Sequence, residues 1–582
     1  MNKKPKSEKI KLISSVKYAF IHDIDRRALT YLILVAAVLK LILTACQMVQ
    51  IFPGEAPIDD ELMFNAANSI KEGNWLGAYS WFTIAKHMFF SVWLWLLNLL
   101  HIPYLIGGQL LYFVVCVVMM NALSPVLKKR LHSFFAFLVL WFSPYSWAQF
   151  TLRVYIDNIY PSLCLLFFAG VIGVCLRINK PVKYTIAYAV AAGIGLGLSW
   201  LTKDDAVWIL PFGICATLIY FVFALLKKEG IKKTAARIAV PLIAVGIFFG
   251  CTTAYKAMNY KYYGRFVISD YTSKEFKDAI SALVRADTDI PHKHVLLCEN
   301  ARQKVYAKVS SFEKLSSLLE TQEYKKGFGT DEYNSAGIIW AIRKTAFDAG
   351  LADTAPKAEQ FYESLSREIN DAFEDGKLAS TNKNILSGLS ATLIPYDNVY
   401  LAPTAKETLS SLGTLLFFKQ TSSLAPLSYA SVEQAKAYED FIFTRTSFSA
   451  VAGTNEADYY PWNVAAEIVF QIIVWIYRIL VWAVLFFGFW RLGKDIKKTL
   501  AELRKREFSA QGLMTVVALG VLLSALLRIV MISYIEVSSF CIGTYLLYLA
   551  PAGAILLVFY IYGFIPILEG ITKLIKKKEK QQ

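Results

Sequence analysis

Charge is scarce in this chain. Lys, Arg, Asp and Glu make up 18% of its 582 residues, against 56% hydrophobic residues, a balance too apolar for an ordinary soluble protein. Cysteine is sparse and unpatterned. Of the eight, Cys46, Cys116, Cys164, Cys175, Cys215, Cys251 and Cys541 lie in or beside apolar runs and only Cys298 in a long polar stretch. A disulfide framework and a Cys-ligated zinc site are therefore unsupported. The short alternating segments of a membrane β-barrel are missing too, as are internal repeats and low-complexity tracts. No cleavable signal peptide is expected, because Met1 to Arg27 are polar and basic and the first apolar run is too long for one.

What the chain does have is apolar runs of about twenty residues, the length an α-helix needs to cross about 30 Å of hydrocarbon. Ten such runs are expected to span: Tyr31–Ile51, Leu105–Leu123, Ser133–Ala148, Ile159–Leu176, Thr185–Leu201, Ala206–Leu226, Ile238–Tyr255, Val464–Trp490, Leu513–Ile532 and Cys541–Phe564. An eleventh, Met88 to Leu100, is short for a span and is assigned to an outer interfacial or re-entrant helix. The net charge of +16 is not a sign of nucleic acid. Lys and Arg gather in short segments between apolar runs, namely Lys3 to Arg27, Lys128 to His132, Arg177 to Lys183, Lys227 to Arg237, Arg491 to Arg506 and Lys573 to Lys580. Placing Met88 to Leu100 outside brings all six to the cytoplasmic side at once, as the positive-inside rule requires.

The expected fold is an all-α polytopic membrane bundle with a mainly helical extracytoplasmic domain. Residues 1–29 form a basic cytoplasmic tail. Residues 30–256 form an N-terminal membrane module whose first outer loop is 52–87. Residues 257–461 form the outer domain, 462–568 the C-terminal spans and 569–582 a second basic tail. Both termini are expected in the cytoplasm.

Charges at membrane boundaries are costly and mark functional candidates. Four groups fall on the expected outer side: Asp59-Asp60-Glu61 ahead of an amphipathic helix, Lys86-His87, Arg153 with Asp157, and Lys203-Asp204-Asp205 in a short turn. Arg528 and Glu536 lie near them at the outer end of a late span. Each group also has a plain structural reading. An aspartate before a helix is often an N-cap, residues four apart in a helix pair on one face, and a charged turn is often simply solvated. Taken together, carboxylates facing several cations suit a phosphate-bearing amphiphile: cations hold the phosphate and a carboxylate serves as base.

The segments Ile58-Asp59-Asp60-Glu61-Leu62-Met63, Gly73-Asn74-Trp75-Leu76-Gly77-Ala78-Tyr79 and Thr83-Ile84-Ala85-Lys86, with a helical membrane module and a later outer domain, resemble the GT-C class of membrane glycosyltransferases. The last segment looks like that class's Leu-x-Lys-Gly-Pro type, with His87-Met88 in place of Gly-Pro. Most of the chain is similar to large bacterial membrane proteins of this general kind, through segments such as Arg153 to Leu163, Leu201 to Pro211 and Asn259 to Gly264.

The resemblance implies a bacterial cell-membrane enzyme that takes a sugar from a polyprenyl-phosphate carrier. The acceptor would be an envelope glycan, glycolipid or protein on the outer face. Asp59 or Asp60 would act as base, with Glu61, Lys86, Arg153, Asp157, Lys203, Asp204 and Asp205 binding substrate. Asp59, Asp60, Asp204 and Asp205 also offer hard oxygen ligands to a divalent metal if folding brings them together. The rival readings are a lipid or glycan transporter or flippase, for which Arg478 inside a span and the Gly193–Gly197 stripe would speak, and a non-catalytic envelope polymer-assembly protein.

Overall fold

The computed structural model describes residues 17–227, 229–287, 294–381, 398–449, 457–505 and 509–581. Most of the expected N-terminal basic tail thus lies outside the described residues. Those described form helices and isolated β-bridges, with no strand among them. The longer helices, numbered in chain order, are α1 Arg26–Ala45, α2 Asp60–Lys71, α3 Phe89–Leu99, α4 Tyr104–Leu123, α5 Arg130–Trp141, α6 Tyr160–Leu176, α7 Ile186–Thr202, α8 Leu210–Leu226 and α9 Ile231–Tyr263. There follow α10 Lys274–Ala286, α11 Ser335–Asp348, α12 Ala355–Glu374, α13 Leu401–Leu416, α14 Val432–Ile442, α15 Pro461–Arg504, α16 Ala510–Ile535 and α17 Leu546–Glu579.

Eight helices among the described residues are long and apolar enough to cross a membrane: α1, α4, α6 with the turn before it, α8 with the turn before it, α9, α15, α16 and α17. The other two expected spans, α5 and α7, are helices of 12 and 17 residues. In the third expected span, Ser133–Ala148, helix α5 is shorter than the apolar run around it for a local reason. Pro144 has no N–H to continue the ladder, so α5 stops at Trp141 and a 3₁₀ turn, Pro144–Ser146, follows. Non-helical backbone inside an apolar bundle needs donors for its carbonyls, and neighbouring helices supply them. Tyr112 Oη donates to the Leu140 carbonyl at 2.5 Å, Lys40 Nζ to Trp141 at 2.6 Å and Gln109 Nε2 to Ser146 at 2.5 Å. Lys40, wholly buried in α1, is thereby a cap for a broken helix.

α3 is 11 residues, about 17 Å of helix, roughly half the hydrocarbon thickness. It packs against α2 and reaches α14, where Asn98 Nδ2 donates to the Phe441 carbonyl at 2.7 Å.

Small residues set how closely the central helices approach, as in membrane bundles generally. A Cβ on Gly170 of α6 would sit 2.3 Å from the Ala192 nitrogen of α7, and one on Gly195 would sit 2.4 Å from the Phe167 nitrogen. The glycine stripe of α7 is therefore used up in packing against α6 and α9. Arg478 has a comparable explanation. Its guanidinium donates to the carbonyls of Phe417 and Phe418 at 2.9 and 3.0 Å, capping α13 where it packs back against α16 and α17.

Basic segments meet at one end of the bundle. Lys128 pairs with Glu569 at 2.8 Å, Lys129 donates to Phe20 and Ile21 carbonyls, and Arg177 and Arg237 donate to the carbonyls of Ala122 and Ile178. At the other end lie the C-termini of α1, α7, α9 and α16 and the N-termini of α6, α8 and α17, together with residues 264–287 and 294–381. That last region has its own apolar core, with Phe276, Leu283, Ile339, Ile342, Leu365 and Ile369 buried among α10, α11 and α12.

Candidate functional site

A cavity of about 280 Å³ opens where these helix ends meet residues 269–272 and α11. Seven of the nine residues to which the resemblance gives a role line it, Asp59, Lys86, Arg153, Asp157, Lys203, Asp204 and Asp205, as do His87 and Glu536. Asp60 and Glu61 do not. Asp60 is completely enclosed behind the cavity wall, and Glu61 accepts from the Gly54 amide at 3.0 Å, holding the loop that precedes α2. Substrate contact by Glu61 is thus not what the geometry offers.

Asp59 stands at the N-cap position of α2, yet its side chain makes no capping bond. Its Oδ1 instead accepts from Lys86 Nζ and from Tyr155 Oη, the latter at 2.8 Å, and its Oδ2 lies 3.9 Å from Arg153 Nη2. Burial alone would raise its pKa, but Lys86 and Arg153 outweigh burial and hold it at about 2. Asp60 shows the reverse balance. Arg153 Nε reaches both its oxygens at 2.9 Å, but the cost of enclosing a charge dominates. Asp59 and Asp157 add to that cost, and the carboxyl is pushed up to about 6. For Arg153 burial also opposes the charge, but Asp60 and Asp59 prevail and its proton is held more tightly than usual. The two partners differ because the guanidinium keeps 24% of its side chain open, whereas the carboxylate has none.

Arg153 and Asp157 do not form the helical pair that their spacing allows. Arg153 forms a β-bridge with Gln50, through the Gln50 amide to the Leu152 carbonyl at 2.9 Å and the Val154 amide to the Gln50 carbonyl at 3.1 Å, and the chain then bends at Val154 and Tyr155, where the Tyr155 amide donates to the Arg153 carbonyl at 2.8 Å. A 3₁₀ turn, Ile156–Asn158, follows. Arg153, Tyr155, Ile156 and Asp157 all line the cavity. Asp157, buried, faces Lys203 Nζ at 3.7 Å. The Lys203–Asp205 turn is no free loop either. Asp205 accepts from Arg528 Nη1 at 2.7 Å and Tyr160 Oη at 2.8 Å, while Asp204 is exposed and in none of these pairs.

His87 is buried at the cavity, its Nδ1 2.5 Å from the Trp200 carbonyl and its Nε2 3.5 Å from Thr272 Oγ1. Thr272, Tyr271, Trp340, Glu536 and Tyr548 also line the wall. Tyr271, Thr272 and Trp340 come from a region more than a hundred residues downstream of Asp59. No local pattern links them to the acidic loop, so sequence reasoning passes over them.

The four aspartates considered as metal ligands do not converge. Asp59, Asp60 and Asp205 are each spent on a different cation. Among the described residues no group of three His, Cys, Asp or Glu side chains is arranged to hold a metal ion.

Chemically, the cavity offers an ionised carboxylate with an exposed edge, two lysines and an arginine, and several aromatic faces. Comparison with known proteins returned no match to any family model, curated protein or solved structure.

Proposed function

We propose that this cavity is the active site of a membrane glycosyltransferase that takes a sugar from a polyprenyl-phosphate carrier, such as an undecaprenyl-phosphate-linked monosaccharide. The acceptor is an envelope glycan, glycolipid or protein on the outer face of a bacterial cell membrane. One observation carries the reading: Asp59, Lys86, Arg153 and Lys203, scattered over 145 positions of sequence, line a single cavity. The gathering of basic segments at the opposite end supports an outward-facing cavity, because cytoplasmic loops collect Lys and Arg.

The acceptor hydroxyl oxygen attacks the anomeric carbon, forming a new C–O bond. The bond from that carbon to the phosphate oxygen breaks, and its electron pair leaves on the lipid phosphate. The hydroxyl proton passes to Asp59, the one member of the acidic pair that borders the cavity. Asp60, enclosed and gripped by Arg153, holds that cation in place. Lys86 has two roles in sequence. In the empty site it neutralises Asp59; when the lipid phosphate arrives it turns to the phosphate, and the carboxylate, freed of its partner, gains basicity. Lys203, more than 3.5 Å from Asp157, is the cation least committed to a protein carboxylate and the readiest to meet the departing charge.

The features that favoured a transporter, Arg478 and the α7 glycines, are absorbed in capping and helix packing. Protein in lipid vesicles, given radiolabelled polyprenyl-phosphate monosaccharide and a panel of envelope acceptors, should transfer label. Asp59→Asn should retain donor on a filter yet lose at least about 10²-fold in rate, the usual worth of a positioned base. Wild-type protein inert across the panel, or full turnover by Asp59→Asn, would overturn the proposal.

A further inference from the structure

Part of the cavity is built unlike the ion-paired region around Asp59. It consists of His87, Ser269, Thr272, Asp204 and the rings of Tyr271 and Trp340. A backbone carbonyl only accepts, so the 2.5 Å contact from His87 Nδ1 to the Trp200 carbonyl requires the proton on Nδ1. Nε2 of the neutral ring then carries a lone pair. Its nearest partner, Thr272 Oγ1, is 3.5 Å away, too long for a good hydrogen bond, and that hydroxyl already meets Ser269 Oγ at 2.8 Å. The charged groups facing the imidazole are Asp204 and Asp205 from the turn before α8 and Lys277 from α10. Burial, the largest influence, together with Lys277 outweighs the two aspartates and the Trp200 carbonyl and lowers the pKa. The ring is therefore neutral at pH 7, with an acceptor nitrogen that the protein leaves nearly unused.

Beside it stand an exposed carboxylate, Asp204, and an aromatic pair, Tyr271 on Trp340, with ring centres 5.3 Å apart and planes 27° apart. The region adjoins the phosphate-binding cations, because Lys86 Nζ lies 5.8 Å from the Trp340 ring. Lys277, the cation facing the His87 and Asp204 acceptors, has its charge favoured by Asp204, which leaves a phosphate little to pair with. Acceptors beside flat apolar rings suit a molecule with hydroxyl donors on its edge and C–H bonds on its face.

Resting on the reading of the cavity as a sugar-transfer site, we propose that His87, Thr272, Asp204 and the Tyr271–Trp340 pair form the acceptor subsite. Its ligand is a neutral carbohydrate, one of whose hydroxyls donates to His87 Nε2. His87 thereby fixes the acceptor's orientation, while Asp59 receives the proton of the attacking hydroxyl.

The test uses full-length protein in lipid nanodiscs with ¹⁵N-labelled histidine. The His87 signals are assigned by substituting the other five histidines one at a time, so no His87 variant need fold. The spectrum at pH 7 should show a neutral ring with the proton on Nδ1. Methyl β-glucoside or methyl β-galactoside should shift the Nε2 signal, inorganic phosphate at equal concentration should not, and Asp204→Asn should weaken the glycoside effect several-fold. A proton on Nε2, a charged ring at pH 7, a signal indifferent to both glycosides, or one moved by phosphate alone overturns the subsite. Retention of polyprenyl-phosphate monosaccharide is measured separately. Glycoside binding without donor retention removes the donor assignment and leaves the subsite standing, and donor retention without glycoside binding does the opposite.

Discussion

Arg153→Met removes the cation that grips Asp60 through both carboxylate oxygens at 2.9 Å. Methionine fills similar space, so the main effect is electrostatic: a carboxylate with no exposed surface loses its partner. Uncompensated burial of this kind costs about 3–5 kcal/mol. The protein limits the loss by protonating Asp60, which makes the cost depend on pH. Even with Arg153 present, a carboxyl raised from 3.8 to about 6 costs folding about 3 kcal/mol once ionised. The sign follows from linkage: the folded state binds this proton more tightly than the unfolded chain. The penalty is therefore absent below the unfolded pKa and grows as pH rises toward the folded one.

Without Arg153 the folded pKa climbs further and the window extends upward. The variant should lie close to wild type at pH 5 and fall well below it at pH 8. Asp60→Asn/Arg153→Met should recover at least half of the pH 8 loss, since the double change leaves no orphaned charge. The assay is thermal unfolding in detergent at both pH values, scan rate held constant because membrane proteins often unfold irreversibly. A loss below about 1 kcal/mol at pH 8, or equal losses at both pH values, would refute the reasoning.

Three further outcomes follow from the geometry. Glu61→Gln should leave donor retention and transfer within about twofold of wild type, because the side chain holds the Gly54 amide outside the cavity; a tenfold fall in either would restore Glu61 as a substrate ligand. Gly170→Ala should destabilise by about 1–3 kcal/mol or more through overpacking, as its Cβ would lie 2.3 Å from backbone of α7. Unchanged thermal stability would show that α6 and α7 are not packed this closely. Lys86→Met should raise the Asp59 pKa from about 2 toward the ordinary carboxylate range, since Lys86 is the strongest influence lowering it. The acid limb of kcat/KM should then move to higher pH, and an unmoved limb would separate Lys86 from Asp59.

Much of the fold was legible because apolar run length is a one-dimensional property. Each of the ten expected spans contains a helix, since a long apolar run satisfies its backbone best that way. The exceptions in detail include Ser133–Ala148, where apolar composition continued past Pro144 but the backbone ladder did not, and Tyr31–Ile51, whose helix ends at Ala45 ahead of bridges at Val49 and Gln50. Site residues were legible where cost singled them out: Lys203 and Asp205 stood out as charges at the edge of apolar helices, and both line the cavity. The arrangement of pairs was not. Arg153 and Asp157 have helical spacing but a bridged, bent and 3₁₀ backbone, so each pairs across the fold, with Asp60 and Lys203. The N-cap reading of Asp59 fails for the same reason, because distant Lys86 and Tyr155 outcompete the local amides. Trp340 and Tyr271 give no warning at all, being ordinary aromatics in an ordinary amphipathic region.

The most direct test of the account is the position of the donor's phosphate in a structure determined with a polyprenyl-phosphate monosaccharide bound. Phosphate oxygens should lie within about 3 Å of Lys86, Arg153 or Lys203, with the Asp59 carboxylate facing the anomeric carbon. A head group bound at the basic end beside Lys129 or Arg177, or a phosphate in the cavity with Asp59 still locked to Lys86 and turned from the sugar, would contradict it.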